Sequence, residues 1–557
     1  GGQGLGGGVR GEEAQSERAQ KGRLEDAGSS VHGSLDDGRF STPKKKPNRN
    51  KLLRAADIGY FREMTTRSML IAAVLLGSTA IGHGGEVNFT VLDEGTKRIM
   101  PARIHLADET GTPQRAEGLP FWRDHFVCEG TAKVDLAEGR YRYTVERGPE
   151  FNSIQGEVAV EKDGGPRSVT VSLRRLADLA SEGWWSGETH VHRPRQDVEL
   201  LMRAEDLHAA QVITWWNATN PWKPSDVPER VVVNFDGNRS YQVMAGEDER
   251  DGGALLFGDL AQPLEITEGK RHFPSSLVYA RAARARGAQW IDAEKPFWWD
   301  FPMWLAHGVA DTAGIAHNHM HRGGVLENEA WGRARDRAKY PAPLGNALWT
   351  LQIYYHALNC GLRLPPSAGS ASGVLPNPAG YNRAYVQMEG AYSHAKWQEG
   401  LLAGRSFVSN GPLLRCQAGG KWPGHTFKAD KTLELEIAGK LDSRDPIAAV
   451  ELVRNGRAER IELPAKIRIE ESGWFLVRAV ANLTNTYRFA STAPWHVEIG
   501  GKPMAPRPES ARFFVEWCDE RMAQLESRTE LSPEQKAEVI APWKAARAFW
   551  QAKAAGE

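Results

Sequence analysis

The sequence predicts a mixed α/β protein, in which an α/β core lies between two β-sandwich domains and is followed by a helical tail. Three observations support this class. Short alternating strands separated by glycine-bearing turns fill residues 86–175, and the same pattern returns in residues 413–505. Between them, in residues 176–412, helical stretches alternate with short apolar strands, which is typical of βα units. Residues 506–557 carry a helical pattern.

The start of the chain is expected to lie outside these domains. Residues 1–63 are rich in Gly, Arg, Glu and Lys and poor in large apolar side chains, so we expect disorder, upstream of the true start. Residues 64–83 begin with Met64 and Arg67 and continue with an apolar run and small residues, which is typical of a signal peptide. We therefore expect a secreted or periplasmic protein with no stable membrane span after signal removal. The alternative for this segment is a short buried helix.

The composition narrows the range of partners. Basic and acidic residues balance at 70 each, so nothing favours nucleic acid or an anionic membrane surface. Four scattered cysteines without Cys-x-x-Cys spacing argue against a disulfide framework and a thiolate zinc site. The sequence still allows one disulfide bridge but does not determine which cysteines would form it. The 19 tryptophans favour large core aromatics, with stacking surfaces for sugars as the alternative. The sequence does not determine the oligomeric state.

The first β-region is predicted to be a small antiparallel sandwich. Its four clearest strands are Val87–Val91, Ala102–Leu106, Tyr141–Val145 and Val169–Leu173. In the second β-region, strands are predicted at Leu433–Ile437, Val450–Val453 and Trp474–Val477. Asn455-Gly456 between the last two is a strong hairpin signal.

The central region and the tail contain the helices. A helix is predicted from Val198 to Ala210, followed by a strand at Gln211–Thr214, and a second helix from Leu348 to Cys360. In the tail, Ser532–Gln535 forms a capping-box pattern with proline at the first helical turn. A stripe that we expect to pack on the body of the protein then follows: Val539, Trp543, Ala546 and Trp550.

The strongest chemical signal is a pair of histidines near the start of the central region. His190 and His192 lie two residues apart, so both imidazoles point to the same side if the segment is a strand. Neutral imidazole is the commonest metal ligand of this kind. Glu247 follows an apolar strand, Tyr241–Met244, and offers a carboxylate at a strand end.

A second group of histidines follows the predicted strand Gly314–Ala316. Either His317 or His319 would complete a catalytic metal site with an open position, and the register does not choose between them. For His307 and His321 we favour structural hydrogen bonds instead.

The order of these features resembles the PHP (polymerase and histidinol phosphatase) superfamily, and most closely its CehA/McbA-like metallohydrolases. The resemblance covers residues 176–412. It depends on these motifs: Gly187-Glu188-Thr189-His190-Val191-His192, Gly246-Glu247, Gly314-Ile315-Ala316-His317-Asn318-His319, Leu358-Asn359-Cys360-Gly361 with Gly369-Ser370, and Ala403–Pro412. It implies a distorted β/α barrel that hydrolyses phosphoester, ester or amide/carbamate bonds with metal-activated water.

The sequence departs from the family pattern in two places. Trp216 stands where the family has a metal histidine, and Ala371 and Gly373 occupy the family's Asp and His positions. One divalent ion, zinc, manganese or iron, is therefore expected rather than a trinuclear centre. Its predicted ligands are His190, His192, Glu247 and His317 or His319.

The resemblance also implies roles for neighbouring residues. Glu188 and Asn217 match positions that support catalysis, and Glu188 would orient a ligand histidine. The remaining candidates are assigned to a small-molecule or glycan substrate: Arg193, Trp215, Trp216, Lys295, Arg322 and Ser370. The rival hypothesis is a catalytically degenerate protein of the same class that binds a glycan or a cell-surface partner through its tryptophans.

Overall fold

The computed structural model describes residues 84–266 and 271–556. The predicted disordered segment and signal peptide, residues 1–63 and 64–83, lie outside the described residues. The architecture is mixed, with many strands in large sheets and a pair of helices at the C-terminal end. Within the described ranges, no helix has both the length and the apolar character needed to cross a membrane.

The N-terminal region contains two small sheets that share one apolar core. Its strands are β1 Gly85–Asp93, β2 Ala102–Asp108, β3 Phe121–Trp122, β4 His125–Cys128, β5 Thr131–Leu136, β6 Gly139–Glu146, β7 Ile154–Val160 and β8 Arg167–Leu173. One sheet has the order β5-β1-β8 and the other β3-β4-β2-β6-β7, and Phe89, Ile104 and Val145 pack between them. The pairing is not wholly antiparallel as predicted, because β1 and β8 run parallel after the intervening strands bring the chain back.

The central region carries twelve strands and five α-helices within the described ranges. The strands are β9 Trp184–Val191, β10 Ala209–Trp216, β11 Val232–Phe235, β12 Arg239–Arg250, β13 Gly253–Gly258, β14 Trp290–Ala293, β15 Thr312–Ala316, β16 Met320–His321, β17 Gly324–Val325, β18 Pro366–Ala368, β19 Arg383–Gln387 and β20 Ser406–Ser409. The helices are α1 Val198–Ala204, α2 Ser276–Ala285, α3 Phe301–Ala306, α4 Gly345–Asn359 and α5 His394–Leu402.

The first of these helices is shorter than predicted. The helix α1 ends at Ala204 because Asp206 takes a positive φ of 51°, and its carboxylate accepts hydrogen bonds from Arg147 and Arg239 at 3.0 Å. The chain then enters β10 at Ala209, which the predicted helix had included.

The central strands form one sheet in the order β18-β15-β14-β13-β12-β10-β9-β19-β20. Strand β9 lies inside this order, and its carboxyl end also contacts β18 and the loop that follows β18. Thr189 Oγ1 donates to Ala368 O at 2.9 Å, Ala371 N donates to His190 O at 2.9 Å, and His192 N donates to Ser372 O at 2.8 Å. The carboxyl end of β9 is therefore fixed on both sides.

The C-terminal region adds β21 Leu413–Ala418, β22 Thr426–Ala429, β23 Leu433–Asp442, β24 Ile447–Arg454, β25 Arg457–Arg460, β26 Ala465–Ile469, β27 Gly473–Ala481, β28 Phe489–Thr492 and β29 Trp495–Ile499. Because β20 pairs with β28, the central sheet continues into this region without a break. The predicted hairpin at Asn455 and Gly456 is confirmed, with φ of 50° and 86° between β24 and β25.

The two C-terminal helices, α6 Pro508–Glu526 and α7 Pro533–Ala555, pack against the body. The predicted capping box is confirmed, since Gln535 N donates to Ser532 Oγ at 3.2 Å and Ser532 N donates to Gln535 Oε1 at 3.0 Å. The predicted stripe is buried, and Trp550 Nε1 donates to Pro302 O at 3.1 Å. Ten of the 19 tryptophans are under 2% exposed, which favours core packing as their main role.

Candidate metal centre

His190 and His192 project from the end of β9 toward the same point. Their Nε2 atoms are 2.8 Å apart and their ring centroids 4.8 Å apart. His190 is 2% exposed, and the side chain of His192 is 10% exposed. The two imidazoles therefore meet with their outer nitrogens in a buried space, as side chains at alternate positions of a strand can.

Glu247 reaches the same point from β12, which pairs with β10 in a parallel register that sets Trp216 beside Glu247. Its Oε2 lies 3.1 Å from His192 Nε2 and 3.4 Å from His190 Nε2. Among the described residues, this buried oxygen has no well-formed hydrogen bond. A buried carboxylate oxygen left in this state is costly unless a further group binds it.

The three donor atoms have the spacing that a small cation needs. Ligands about 2.0–2.1 Å from a tetrahedral zinc ion are separated from one another by roughly 3.3 Å. The three observed separations of 2.8, 3.1 and 3.4 Å are close to that value. Two imidazoles and one carboxylate also form a donor set of the catalytic type. The residues therefore fit a divalent cation.

Glu294, directly after β14, faces the other nitrogen of His190. Its Oε1 lies 3.2 Å from His190 Nδ1; the contact is close but not well aligned, so we treat it as an electrostatic pairing. An ionised carboxylate only accepts, so this pairing favours the proton on Nδ1 and leaves the Nε2 lone pair for a cation. Asn318 Nδ2 and Trp298 Nε1 donate to Glu294 at 2.8 and 3.2 Å and fix its position.

The protonation of the centre follows from these contacts. Burial by itself lowers the pKa of His190, but the Glu247 and Glu294 carboxylates outweigh burial and raise it to about 10. Burial lowers the pKa of His192. Burial opposes ionisation of Glu247, yet His190 and His192 bring its pKa down to about 2. Without metal, His190 therefore carries the proton that a cation would displace.

Two carboxylates that the sequence interpretation missed lie beside this centre. Glu247, Glu249 and Glu294 each offer an oxygen within 4.8 Å of the others. Glu249 was available from the sequence, because it lies two positions after Glu247 and thus on the same face of the strand. Glu294 follows a short apolar strand, which is a weaker signal.

His317 and His319 do not converge with His190, His192 and Glu247. In the described ranges, they belong to no group of donors that meets at that point. His317 Nε2 is 2.8 Å from Thr350 Oγ1, and both rings pack against Phe297 with centroids 5.5 and 5.4 Å away. The residue between them, Asn318, lies in the turn after β15 and donates through Nδ2 to Glu294 Oε1 at 2.8 Å, so it is the side chain of this segment that contacts the centre.

Glu188, Ser370 and Asn217 hold the backbone around the centre. Glu188 accepts the backbone N–H groups of Ser370 and Gly380, and burial raises its pKa to about 7. Ser370 Oγ accepts from Asn382 N at 2.9 Å. Asn217 N donates to Glu247 O at 2.9 Å, and its Oδ1 accepts from Glu249 N at 2.7 Å. These contacts position strands and loops rather than contact the donor atoms.

The two tryptophans at the carboxyl end of β10 have different surroundings. Trp215 is buried, stacks on Phe257 at 5.9 Å and lies where a side chain on Gly246 would be, so it is a core residue rather than a substrate surface. Trp216 is half-buried, with its ring centroid 5.0 Å from that of His192. Only Trp216 of the two lies at the candidate metal centre.

The three cations predicted to meet an anionic substrate are dispersed. Arg193 is buried beside Trp122, 5.7 Å from the ring centroid. Lys295 is buried as the ion-pair partner of Glu294, with its ammonium 4.3 Å from the Trp298 ring. Arg322 lies next to Glu146, at 3.4 Å. Lys295 is thus the one that contacts a residue of the centre.

A second group of two histidines and a carboxylate occurs in the N-terminal region, unnoticed in the sequence. His105 Nδ1 is 3.2 Å from Asp124 Oδ2, and His125 Nδ1 is 2.8 Å from Asp124 Oδ1. Arg103 Nε donates to His105 Nε2 at 3.0 Å. We refer to His105, Asp124 and His125 as the N-terminal cluster.

The four cysteines are buried and unpaired in the part of the chain that the structure describes. No model of a known protein family matches the chain, and no curated protein matches it.

Among solved structures, the Bacillus anthracis TIE protein is 18% identical with a TM-score of 0.13, over 20% of this chain and 19% of that chain. A streptococcal ancillary pilin is 16% identical with a TM-score of 0.15, over 20% of this chain and 37% of that chain. The chain thus spans well under half the length of either protein, and TM-scores this low carry no argument about function.

Proposed function

We propose that the protein is an exported metal-dependent hydrolase of the PHP class, related to the CehA/McbA-like branch. The observation that carries the proposal is the convergence of His190 Nε2, His192 Nε2 and Glu247 Oε2, with mutual distances of 2.8 to 3.4 Å. The family motifs around these residues support the class. The hydrogen bonds that join β9 to β18 and to the loop after it support the distorted β/α barrel of that class.

A divalent cation bound by these three side chains would lower the pKa of a water molecule and polarise the bond to be cleaved. The chain's own residues prepare for this. Glu294 keeps a proton on His190 Nδ1, so that His190 offers its Nε2 lone pair. His190 and Glu247 are buried and the His192 side chain is 10% exposed, so the low-dielectric surroundings strengthen their electrostatic interaction with a cation.

Glu249 is the side chain that we assign to proton transfer. Its carboxylate lies within 4.8 Å of those of Glu247 and Glu294, but it is not part of the His190, His192 and Glu247 group. A carboxylate in that position can take a proton from the attacking water and return it to the leaving group. Hydrolysis of phosphoesters, esters and carbamates requires both proton transfers, so the role of Glu249 does not distinguish among these three substrate classes.

The binding-protein hypothesis is supported by Trp216, whose ring lies at the centre. Trp215 does not support this hypothesis, because its ring is buried in the core and cannot contact a glycan. A glycan platform would therefore depend on one half-buried indole, which makes it the weaker of the two functions.

The decisive experiment is a hydrolysis screen of phosphoester, ester and carbamate substrates on protein purified with and without metal. We expect at least one class to be hydrolysed, the activity to disappear after chelation, and zinc, manganese or iron to restore it. The matched control is His105→Ala/His125→Ala, which changes two histidines of the N-terminal cluster and leaves the centre intact. Metal-free protein that hydrolyses nothing and still binds glycans would establish the rival function.

A further inference from the structure

A polar cavity lies where the N-terminal, central and C-terminal regions meet. Its volume is about 50 Å³, several times the roughly 10–15 Å³ that one water molecule needs. Five arginines line it: Arg103, Arg322, Arg383, Arg444 and Arg488. The carboxylates in its wall are three: Glu146, Glu205 and Asp445. Because arginine does not lose its proton in proteins, the lining keeps an excess of about two positive charges.

The carboxylates are already engaged by the innermost arginines. Arg103 is 4% exposed and pairs with both Glu146 and Glu205. Arg444 Nη1 also lies 3.4 Å from Glu146 Oε1, and its other nitrogens donate to the carbonyls of Phe151 and Gly148. Glu146 therefore has little capacity left for a further cation.

Two arginines at the cavity retain unused donors. Arg322 approaches Glu146 through Nε alone, at 3.4 Å, and its side chain is 33% exposed. In the described part of the chain, this contact with Glu146 is the one ion pair that Arg322 makes. Arg488 Nη1 pairs with Asp445 at 2.8 Å and its Nε with the Tyr381 hydroxyl at 3.3 Å, while the side chain stays 22% exposed. Their guanidinium groups therefore offer N–H donors to a ligand in the cavity.

We propose that this cavity binds a phosphate group, either free or as a monoester, held by Arg322 and Arg488. The charge of a phosphate monoester, about −1.5 to −2 near neutral pH, matches the excess of the lining. Arginine forks also suit the paired oxygens of phosphate. The site is separate from the metal centre, so this inference does not depend on the proposed function.

The test uses metal-free, chelator-treated full-length protein, so that phosphate cannot bind through a metal. The thermal midpoint is followed as inorganic phosphate, glycerol phosphate, acetate or chloride is added at matched ionic strength. We expect phosphate to raise the midpoint and acetate and chloride not to. A rise with glycerol phosphate as well identifies a monoester site, and a rise with inorganic phosphate alone identifies free phosphate as the ligand.

The variant that tests the assignment is Arg322→Gln, because Arg322 makes the fewest contacts within the protein. Loss of one charge-assisted contact should weaken phosphate binding about ten-fold. Arg322→Lys retains the positive charge but not the paired N–H donors of the guanidinium group. Its phosphate affinity should therefore lie between those of the wild type and Arg322→Gln. Arg363→Gln, at an exposed arginine outside the cavity, is the control and should bind like the wild type.

Two results would overturn the proposal: equal stabilisation by acetate and phosphate, or unchanged phosphate affinity in Arg322→Gln. Circular dichroism shows whether each variant is folded. If Arg322→Gln does not fold, Arg322→Lys decides the question, since wild-type phosphate affinity in that variant contradicts a requirement for the fork.

Discussion

Two groups of two histidines and one carboxylate lie in different regions of the molecule, and their surroundings differ. In the candidate metal centre, His190 Nδ1 faces Glu294 and its Nε2 faces His192 and Glu247. In the N-terminal cluster, the Nδ1 atoms of both histidines face Asp124, and His105 Nε2 accepts from Arg103.

This difference decides which group suits a cation. Arginine only donates hydrogen bonds, so His105 must keep its lone pair on Nε2 and its proton on Nδ1, the nitrogen that faces Asp124. A cation at Asp124 would force that proton onto Nε2, against the Arg103 N–H, and would also be repelled by the Arg103 charge. A set of donors is therefore not enough, because the partner of the other imidazole nitrogen determines whether a histidine can act as a ligand.

The largest expected effect is on metal content. Replacing His190 and His192 by alanine should abolish stoichiometric metal binding, because two of three donors disappear. His105→Ala/His125→Ala should keep it. Elemental analysis of both purified variants, with circular dichroism as a folding check, measures the contrast. Metal lost from the N-terminal variant and retained in the central one would reverse the comparison.

The next largest effect is expected from Glu249, the carboxylate assigned to proton transfer, which has no counterpart in the N-terminal cluster. Glu249→Gln should retain metal and lower kcat by about 10²–10⁴-fold, since it removes a proton-transfer group. Steady-state kinetics on the substrate found by the screen gives the ratio, and Asp124→Asn is the matched control. Full activity in Glu249→Gln would remove its assigned role.

The partner of His190 Nδ1 should contribute less. Glu294→Gln replaces the accepting carboxylate with an amide of similar size and should weaken metal affinity about 10–100-fold. Competition with a chelating indicator measures the dissociation constant. An unchanged constant would show that the orientation of His190 does not depend on Glu294.

The smallest effect, counted per pH unit, concerns the pH dependence of stability at the N-terminal cluster. Burial lowers the pKa of His125 to about 3, below its ordinary value of 6.5. The stability from neutral His125 is complete above pH 6.5 and is lost as pH falls toward 3, because the unfolded chain binds a proton that the folded state does not. Between these values the wild type should lose up to about 1.4 kcal/mol per pH unit more than His125→Gln.

Urea unfolding of both proteins at several pH values, in chelator so that the metal centre stays empty, gives the two slopes. Parallel slopes would mean that His125 is protonated in the folded protein over this pH range, so that the N-terminal cluster carries a positive charge in addition to that of Arg103.

The sequence by itself determined the local features. The strand β9 with His190 and His192 on one side, the hairpin at Asn455-Gly456 and the capped helix α7 each depend on residues a few positions apart, which periodicity and turn chemistry describe.

Only the tertiary structure decided which distant side chains meet. Glu294 and Glu249 join the centre, His317 and His319 pack against Phe297 instead, and Trp215 lies in the core. Strand order and register fix these encounters, and they arise from packing between segments far apart in the chain. The difference between the two groups of histidines has the same origin. Arg103 and Glu294, which determine whether a histidine can bind a cation, reach the imidazoles only after the sheets have formed.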